Sequence, residues 1–271
     1  MPELPEVETT RRGIAPALVG RRVTRVVVRD RRLRWPIAAN LAATITNQIV
    51  RRIDRRAKYL LIGFDNGTLI VHLGMSGSLR VLDADVPPQL HDHWDIAVES
   101  GSVLRFHDPR RFGSALWTES DPLEHKLLAK LAPEPLSDAF DAGYLFRATR
   151  GRAVAIKQFI MNSQVVVGVG NIYASEALFR AGIAPRRAAR RITRAQAAAL
   201  SQAIKDVLSE AIEIGGTTLR DYVNADGIPG YFSQKLFVYE RGGQSCRVCK
   251  KPVKQFVQGQ RSTYWCSTCQ R

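Results

Sequence analysis

Apolar and polar positions follow different rhythms in the two halves of the chain. Residues from Pro5 to about Val19 read as a short helix: Pro5 suits its first turn, Glu6 and Glu8 its positive end, and Gly20 lies beyond its close. Pro16 is expected to kink or shorten it. Val23–Arg29 interleaves arginines with β-branched residues and reads as a strand. From Gln48 to His107 the pattern is antiparallel β. Lys58–Phe64 and Thr68–Leu73 flank Asp65-Asn66-Gly67, a strong hairpin signal. Trp94–Val98 and Val103–Phe106 flank a second turn at Glu99–Ser102. Short strands with turns at this spacing predict a sandwich or barrel.

Pro122–Leu131 reads as another short helix, and Ala132-Pro133-Glu134-Pro135 as a linker at a domain boundary. Beyond it the period becomes helical. Val165–Gly170 precedes a periodic stretch from Ile172 to Ala181, with Asn171 as N-cap and Gly182 at its end. Thr193–Gln196 has the capping-box pattern. The helix after it places Leu200, Ile204, Val207, Leu208, Ala211 and Ile212 on one face and ends at Gly215-Gly216. Arg186–Arg191 forms an acid-free basic connector between these helices, suited to a DNA backbone. The glycine-rich Leu219–Phe232 stretch reads as a loop near a site.

Charge narrows the partners. The 271 residues carry a formal net charge of +15, with a pI near 10.2, which calls for a polyanion. The basic residues alternate with strand-like apolar ones and do not line an amphipathic helix, which favours nucleic acid over a membrane surface. No apolar run approaches the ~20 residues of a membrane span. No signal peptide opens the chain, so a cytoplasmic, nucleoid-associated protein is expected, and a monomer.

Three features bear on chemistry. With Met1 removed, Pro2 carries a free secondary amine, and an α-amino group titrates at roughly pH 7.7–8.0. Attack on a sugar carbon gives an iminium ion, an electron sink for later bond breaking, with Glu3 adjacent as proton donor or acceptor. Next, Met75 stands between Gly74 and Gly77, and Arg110-Arg111-Phe112 stands between Pro109 and Gly113. Such residues either fill core or wedge between bases. Last, all four cysteines follow Cys246-x2-Cys249-x16-Cys266-x2-Cys269, the spacing of a closed, structural zinc site. Residues 241–271 hold seven basic residues and no acidic one.

Pro-Glu-Leu-Pro-Glu-Val-Glu-Thr at the start, Val-Gly-Val-Gly-Asn-Ile-Tyr-Ala at residues 167–174 and the four-cysteine finger together resemble the formamidopyrimidine-DNA glycosylase family, over essentially the whole chain. The resemblance implies an α+β fold: an N-terminal antiparallel β-sandwich with flanking helices, then a helix–two-turns–helix domain ending in a zinc finger. It implies domains at 1–131, a linker region at 132–150, a DNA-binding domain with lesion loop at 151–236 and a finger at 237–271. It implies a bifunctional glycosylase and abasic-site lyase that excises oxidised purines (8-oxoguanine, formamidopyrimidines) from damaged duplex DNA and cleaves the strand by β,δ-elimination, with one structural zinc. By resemblance, Pro2 is the nucleophile, Glu3 its proton partner, Lys58 an aid to β-elimination and Arg261 the finger-tip group of δ-elimination. Met75, Arg110 and Phe112 fill the gap left by the everted base. His91, Arg152 and Asn171 contact DNA. Glu6, Thr217 and Tyr231 border the lesion pocket. Met161-Asn162 stands where many members have Met-Asp. Two alternatives stay open: an endonuclease VIII-like enzyme for oxidised pyrimidines, whose members resemble Pro-Glu-Gly-Pro at the start, and a non-catalytic zinc-finger DNA-binding protein.

Overall fold

The N-terminal helix, α1 (Leu4–Leu18), forms because Leu4, Val7, Ile14 and Leu18 recur on one face and are all buried. Glu3 and Glu6 close its first turn as a reciprocal capping box. Pro16 sits within its last turn, so the helix runs two residues past it before Gly20, at φ +82°, turns the chain. The computed structural model describes residues 2–215 and 235–271. Thr217 and Tyr231 lie outside the described residues.

The chain forms two units, one running to Ala129, the other from Lys130 to Glu213 together with the C-terminal stretch. In the first, two antiparallel four-stranded sheets make the sandwich. One has the order β1 (Val23–Val28), β6 (Asp92–Val98), β7 (Ser102–His107), β5 (Ser78–Asp83). The other has β2 (Arg52–Arg56), β3 (Tyr59–Gly63), β4 (Thr68–His72), β8 (Ser114–Thr118). Both predicted hairpins are present: Phe64 N–H donates to the Gly67 carbonyl across the Asn-Gly turn, and Gly101 takes φ +89° between β6 and β7. Inward residues of both sheets, among them Leu60, Val71, Ile96 and Leu104, share one core with α1. Trp94 stacks on Phe106 at 5.4 Å in its centre. Each such buried side chain contributes about 1.5–3 kcal/mol. A short helix, α2 (Leu41–Ile45), covers β1. Of the helix expected over Pro122–Leu131, only a 3-10 turn at Pro122–Glu124 forms.

In the second unit, α3 (Ala142–Thr149), which falls inside the 132–150 stretch, packs on α6 (Arg194–Glu213). Between them in sequence are α4 (Ile156–Ile160) and α5 (Asn171–Arg180). The Thr193–Gln196 capping box forms as predicted, with both hydrogen bonds at 3.2 Å, and the expected α6 face is buried. The N-cap of α5 is Gly170 rather than Asn171: the glycine takes the extended cap conformation and frees the asparagine side chain for other partners. Asn162 accepts the Gln164 N–H at 2.9 Å, so it keeps the acceptor role without a charge. The finger hairpin is β9 (Lys254–Gln258) paired with β10 (Arg261–Trp265). Among the described residues no helix is long and apolar enough to cross a membrane.

Candidate active site and nucleic-acid interface

Pro2 and Glu3 are buried at the head of α1, and Glu3 N–H donates to Glu6 Oε2 at 2.8 Å. Glu6, expected at the lesion pocket, therefore serves as a cap, and it is 1% exposed. One turn on, Glu8 gathers three guanidiniums: Arg11 at 2.8 Å, Arg12 at 2.9 Å and Arg55 at 3.2 Å. Burial raises the Glu8 carboxyl, but these arginines outweigh it and hold the group below its ordinary value. The Glu8–Arg55 bridge ties the head of α1 to β2. The turn from β2 to β3 is Ala57-Lys58, with Ala57 at φ +55°, so Lys58 is half-buried at the tip of the hairpin that α1 is anchored to. Met1 lies outside the described residues.

The two candidate wedge loops are one platform. Asp108 is fully buried and accepts from Ser76 Oγ at 2.8 Å on the Met75 loop and from Gly113 N–H at 2.8 Å on the Phe112 loop. It also accepts the Arg110 N–H at 3.2 Å. Gly74, at φ +69°, lies so near that a Cβ on it would meet the Phe112 backbone at 2.5 Å. The result is that Met75 is half-buried while Phe112 remains 43% exposed, with Arg110 stacked 4.9 Å over its ring. An apolar ring held out in water beside a guanidinium fits insertion into a base stack better than core filling. His91, at φ +73°, joins the same platform through its carbonyl, which accepts the Asp108 N–H at 3.1 Å. Its ring meets His107 edge-on at 6.1 Å, and Asp92 holds His107 at 2.9 Å.

His72, which sequence reading passed over, ends β4 beside this platform. Its Nδ1 accepts the Gly74 N–H at 2.9 Å. Burial, then the charges of Lys58 and Arg34, push its value down to about 4, so the ring is neutral at pH 7. Asp108 likewise escaped sequence reading, although its place immediately before Pro-Arg-Arg-Phe was a usable signal.

In the second unit, a buried lysine that sequence reading also missed organises the candidate phosphate site. Lys157 Nζ donates to Asn171 Oδ1 at 2.6 Å, Thr263 Oγ1 at 2.8 Å and the Ser262 carbonyl at 3.2 Å. Asn171 Nδ2 donates to the same Ser262 carbonyl at 3.0 Å. Asn171 is thus clamped between α4 and β10, one residue from Arg261, which opens β10 just past the Gly259-Gln260 turn. Arg152 is exposed on a segment laced to the basic connector, where Arg190 N–H donates to its carbonyl at 2.8 Å. On α5, Glu176 is buried and accepts the N–H groups of Phe237, Val238 and Tyr239 at 2.7, 2.9 and 2.8 Å. Burial nonetheless raises its carboxyl above the ordinary value.

The four cysteine sulfurs lie within 4.8 Å of one another, with Cys246–Cys269 at 3.9 Å and Cys249–Cys266 at 3.4 Å. A Zn–S bond of about 2.3 Å sets a tetrahedral edge of roughly 3.8 Å, so this donor set fits one structural zinc. The second knuckle is fastened to the helices: Gln270 Nε2 donates to the Ile183 carbonyl at 3.0 Å.

Three family models match in order: the formamidopyrimidine-DNA glycosylase N-terminal domain over residues 1–115, the H2TH domain of the same glycosylase over 131–223, and a zinc finger found in FPG and IleRS over 243–271. The chain belongs to the formamidopyrimidine-DNA glycosylase family. It is 63% identical over 271 residues to the formamidopyrimidine-DNA glycosylase of Thioalkalivibrio sulfidiphilus, and 60% identical to that of Stutzerimonas stutzeri, covering all of each. Among solved structures it is similar to the MutM (FPG) protein of Thermus thermophilus, with TM-score 0.88 and 40% identity over 99% of this chain and 98% of that one. It is also similar to a Lactococcus lactis FPG variant in complex with Fapy-dG containing DNA, with TM-score 0.93 and 30% identity over 100% of both chains.

Proposed function

We propose that this family member is a bifunctional base-excision-repair enzyme that removes oxidised purines from duplex DNA and then cuts the abasic strand. The observation that carries the reading is the head of α1, where Pro2 is buried and held by a capped turn against the sandwich. Once Met1 is removed, the Pro2 nitrogen attacks C1′ of the everted nucleotide, and the base leaves as Glu3 manages the proton. The resulting iminium acidifies the neighbouring sugar proton. β-Elimination breaks the 3′ phosphate bond and δ-elimination the 5′ bond, with Lys58 and Arg261 as the assisting cations. The chemistry requires the base to leave the stack. Phe112, Met75 and Arg110 fill its place, and His91, Asn171 and Arg152 hold phosphates. The zinc supplies structure only, since all four of its positions are taken by sulfur. A cytoplasmic enzyme acting on the nucleoid follows from this reading.

Borohydride trapping tests it. Protein processed to Pro2 should form a covalent adduct on an 8-oxoguanine:cytosine duplex and much less on an oxidised-pyrimidine duplex. Absence of an adduct removes the Schiff base, and a preference for the pyrimidine duplex transfers the chain to the endonuclease VIII-like reading. Pro2→Gly should retain DNA binding and lose base release.

A further inference from the structure

The second unit carries more positive charge than the excision reading uses. Residues 142–205 hold eleven basic side chains and one acidic one, ten of the chain's fifteen excess positive charges. Three of the eleven serve the fold: Lys157 in the Asn171 clamp, Arg180 on Glu210 at 2.6 Å and Lys205 on the Ser137 carbonyl at 3.1 Å. The other eight, Arg152 among them, are all arginines. We propose that they form a second phosphate-binding surface, which holds the backbone of duplex DNA outside the damaged segment whether or not a lesion is present.

The backbone sets these arginines on one ribbon. Residues 150–156 and 187–192 run antiparallel: Ile156 N–H donates to the Arg187 carbonyl, Ala189 N–H to the Val154 carbonyl and Arg190 N–H to the Arg152 carbonyl, each at 2.8 Å. At one end Arg186 stacks 3.7 Å over Phe256 of β9, so the ribbon adjoins the finger hairpin. At the other, Arg150 Nη2 donates to the Ile192 carbonyl at 2.6 Å. There Arg150 and Arg194 lie 4.1 and 4.6 Å from the centre of the same ring, Phe146, so their guanidiniums are at most about 9 Å apart. Arg194 also opens α6, at the end of the helix dipole that disfavours a cation. Arg150, Arg190, Arg191 and Arg194 are exposed, and none meets a carboxylate among the described residues. Like charges gathered this way favour a polyanion as partner. Arginine in place of lysine suits phosphate, whose oxygens its planar fork meets in pairs. Duplex DNA is chosen over an acidic protein because Arg152, within the ribbon, already holds a phosphate in the excision reading, and the inference rests on that reading at this point alone. A hold that ignores damage lets the enzyme stay on intact DNA and slide along it.

The salt dependence of binding tests it. Zinc-loaded full-length protein is titrated by fluorescence anisotropy, over a salt series, with a long undamaged duplex, the same duplex carrying 8-oxoguanine, and an 8-oxoguanine duplex trimmed to the damaged segment. In the Arg190→Gln/Arg191→Gln/Arg194→Gln protein the slope of log K against log salt should fall by about 2.7 on both long duplexes, at ~0.9 per phosphate contact. On the trimmed duplex the slope should not change, and borohydride trapping at saturating protein should equal the wild type. Arg191→Gln alone, at an exposed position, should lose about 0.9 and keeps the test available if the triple variant does not fold. An unchanged slope on the long duplexes overturns the proposal. So does an equal loss on the trimmed duplex, which would put these arginines on the damaged segment. Poly-glutamate that binds the wild type but not the triple variant, with the DNA slope unchanged, would make the partner an acidic protein and likewise overturn it. The expected slope loss on undamaged DNA, in a protein whose wild type forms no borohydride adduct, would refute the excision reading and leave this surface standing.

Discussion

Each unit is organised by one buried charge, and the two charges depend on different parts of the chain. In the sandwich, Asp108 joins loops that the sheets already bring together, the farther partner being Ser76, 32 residues away. In the helical unit, Lys157 joins α4, α5 and the finger, and its partner Thr263 is 106 residues away. The wedge platform therefore stands on β-structure alone, whereas the Asn171 clamp needs the finger hairpin to be folded. Local closure makes the first robust; metal-dependent closure makes the second removable.

Removing the metal should break the comparison open most widely. Chelation melts the finger, because metal binding is folding energy for such modules. DNA affinity, measured by fluorescence anisotropy at fixed salt, should drop by at least ~100-fold through lost cationic contacts. The thermal transition of the sandwich should stay in place; if it moves with the finger, the two units are not independent in the way their hubs imply. Lys157→Ala should come next, costing about 3–5 kcal/mol because Asn171 Oδ1 and Thr263 Oγ1 lose the buried donor that satisfies them and the removed stem leaves a void. That loss should appear only in the second unit's transition. Asp108→Ala should cost about 3 kcal/mol in the first unit by leaving Ser76 and the Gly113 N–H unsatisfied. It should also blunt discrimination of the base opposite the lesion, measured by base-release rates on different pairs.

Acid should distinguish the units further. His72 has a folded value of about 4 against an ordinary 6.5. Its contribution is fully present above pH 6.5 and is lost as pH falls toward 4, where the folded state resists protonation. The sandwich should lose up to about 2–3 kcal/mol over that window, and His72→Gln should flatten the profile. The smallest effect belongs to Thr263→Val, about 1 kcal/mol, which removes one acceptor from Lys157 and keeps the volume.

Features that depend on neighbours in sequence were legible without coordinates. The Asn66-Gly67 hairpin, the Thr193–Gln196 capping box and the paired cysteine turns each use residues within a few positions of one another. Where local propensity pointed two ways, packing chose. Asn171 has the chemistry of an N-cap, yet Gly170 took that position and the asparagine turned to Ser262 and Lys157. Pro122–Leu131 looked helical, yet only a 3-10 turn forms at its start.

The sequence by itself was enough for the polyanionic partner and the four-cysteine zinc set, which follow from net charge and spacing, and its motifs carried the resemblance to the family from which the proposed role of Pro2 comes. Only the tertiary structure decided that Asp108 and Lys157 are the hubs, that Glu6 caps a helix, and that Phe112 stays in water instead of joining the core. Those outcomes turn on which buried polar group finds which partner across tens of residues, and a buried charge left unmatched costs too much for the fold to leave the choice open.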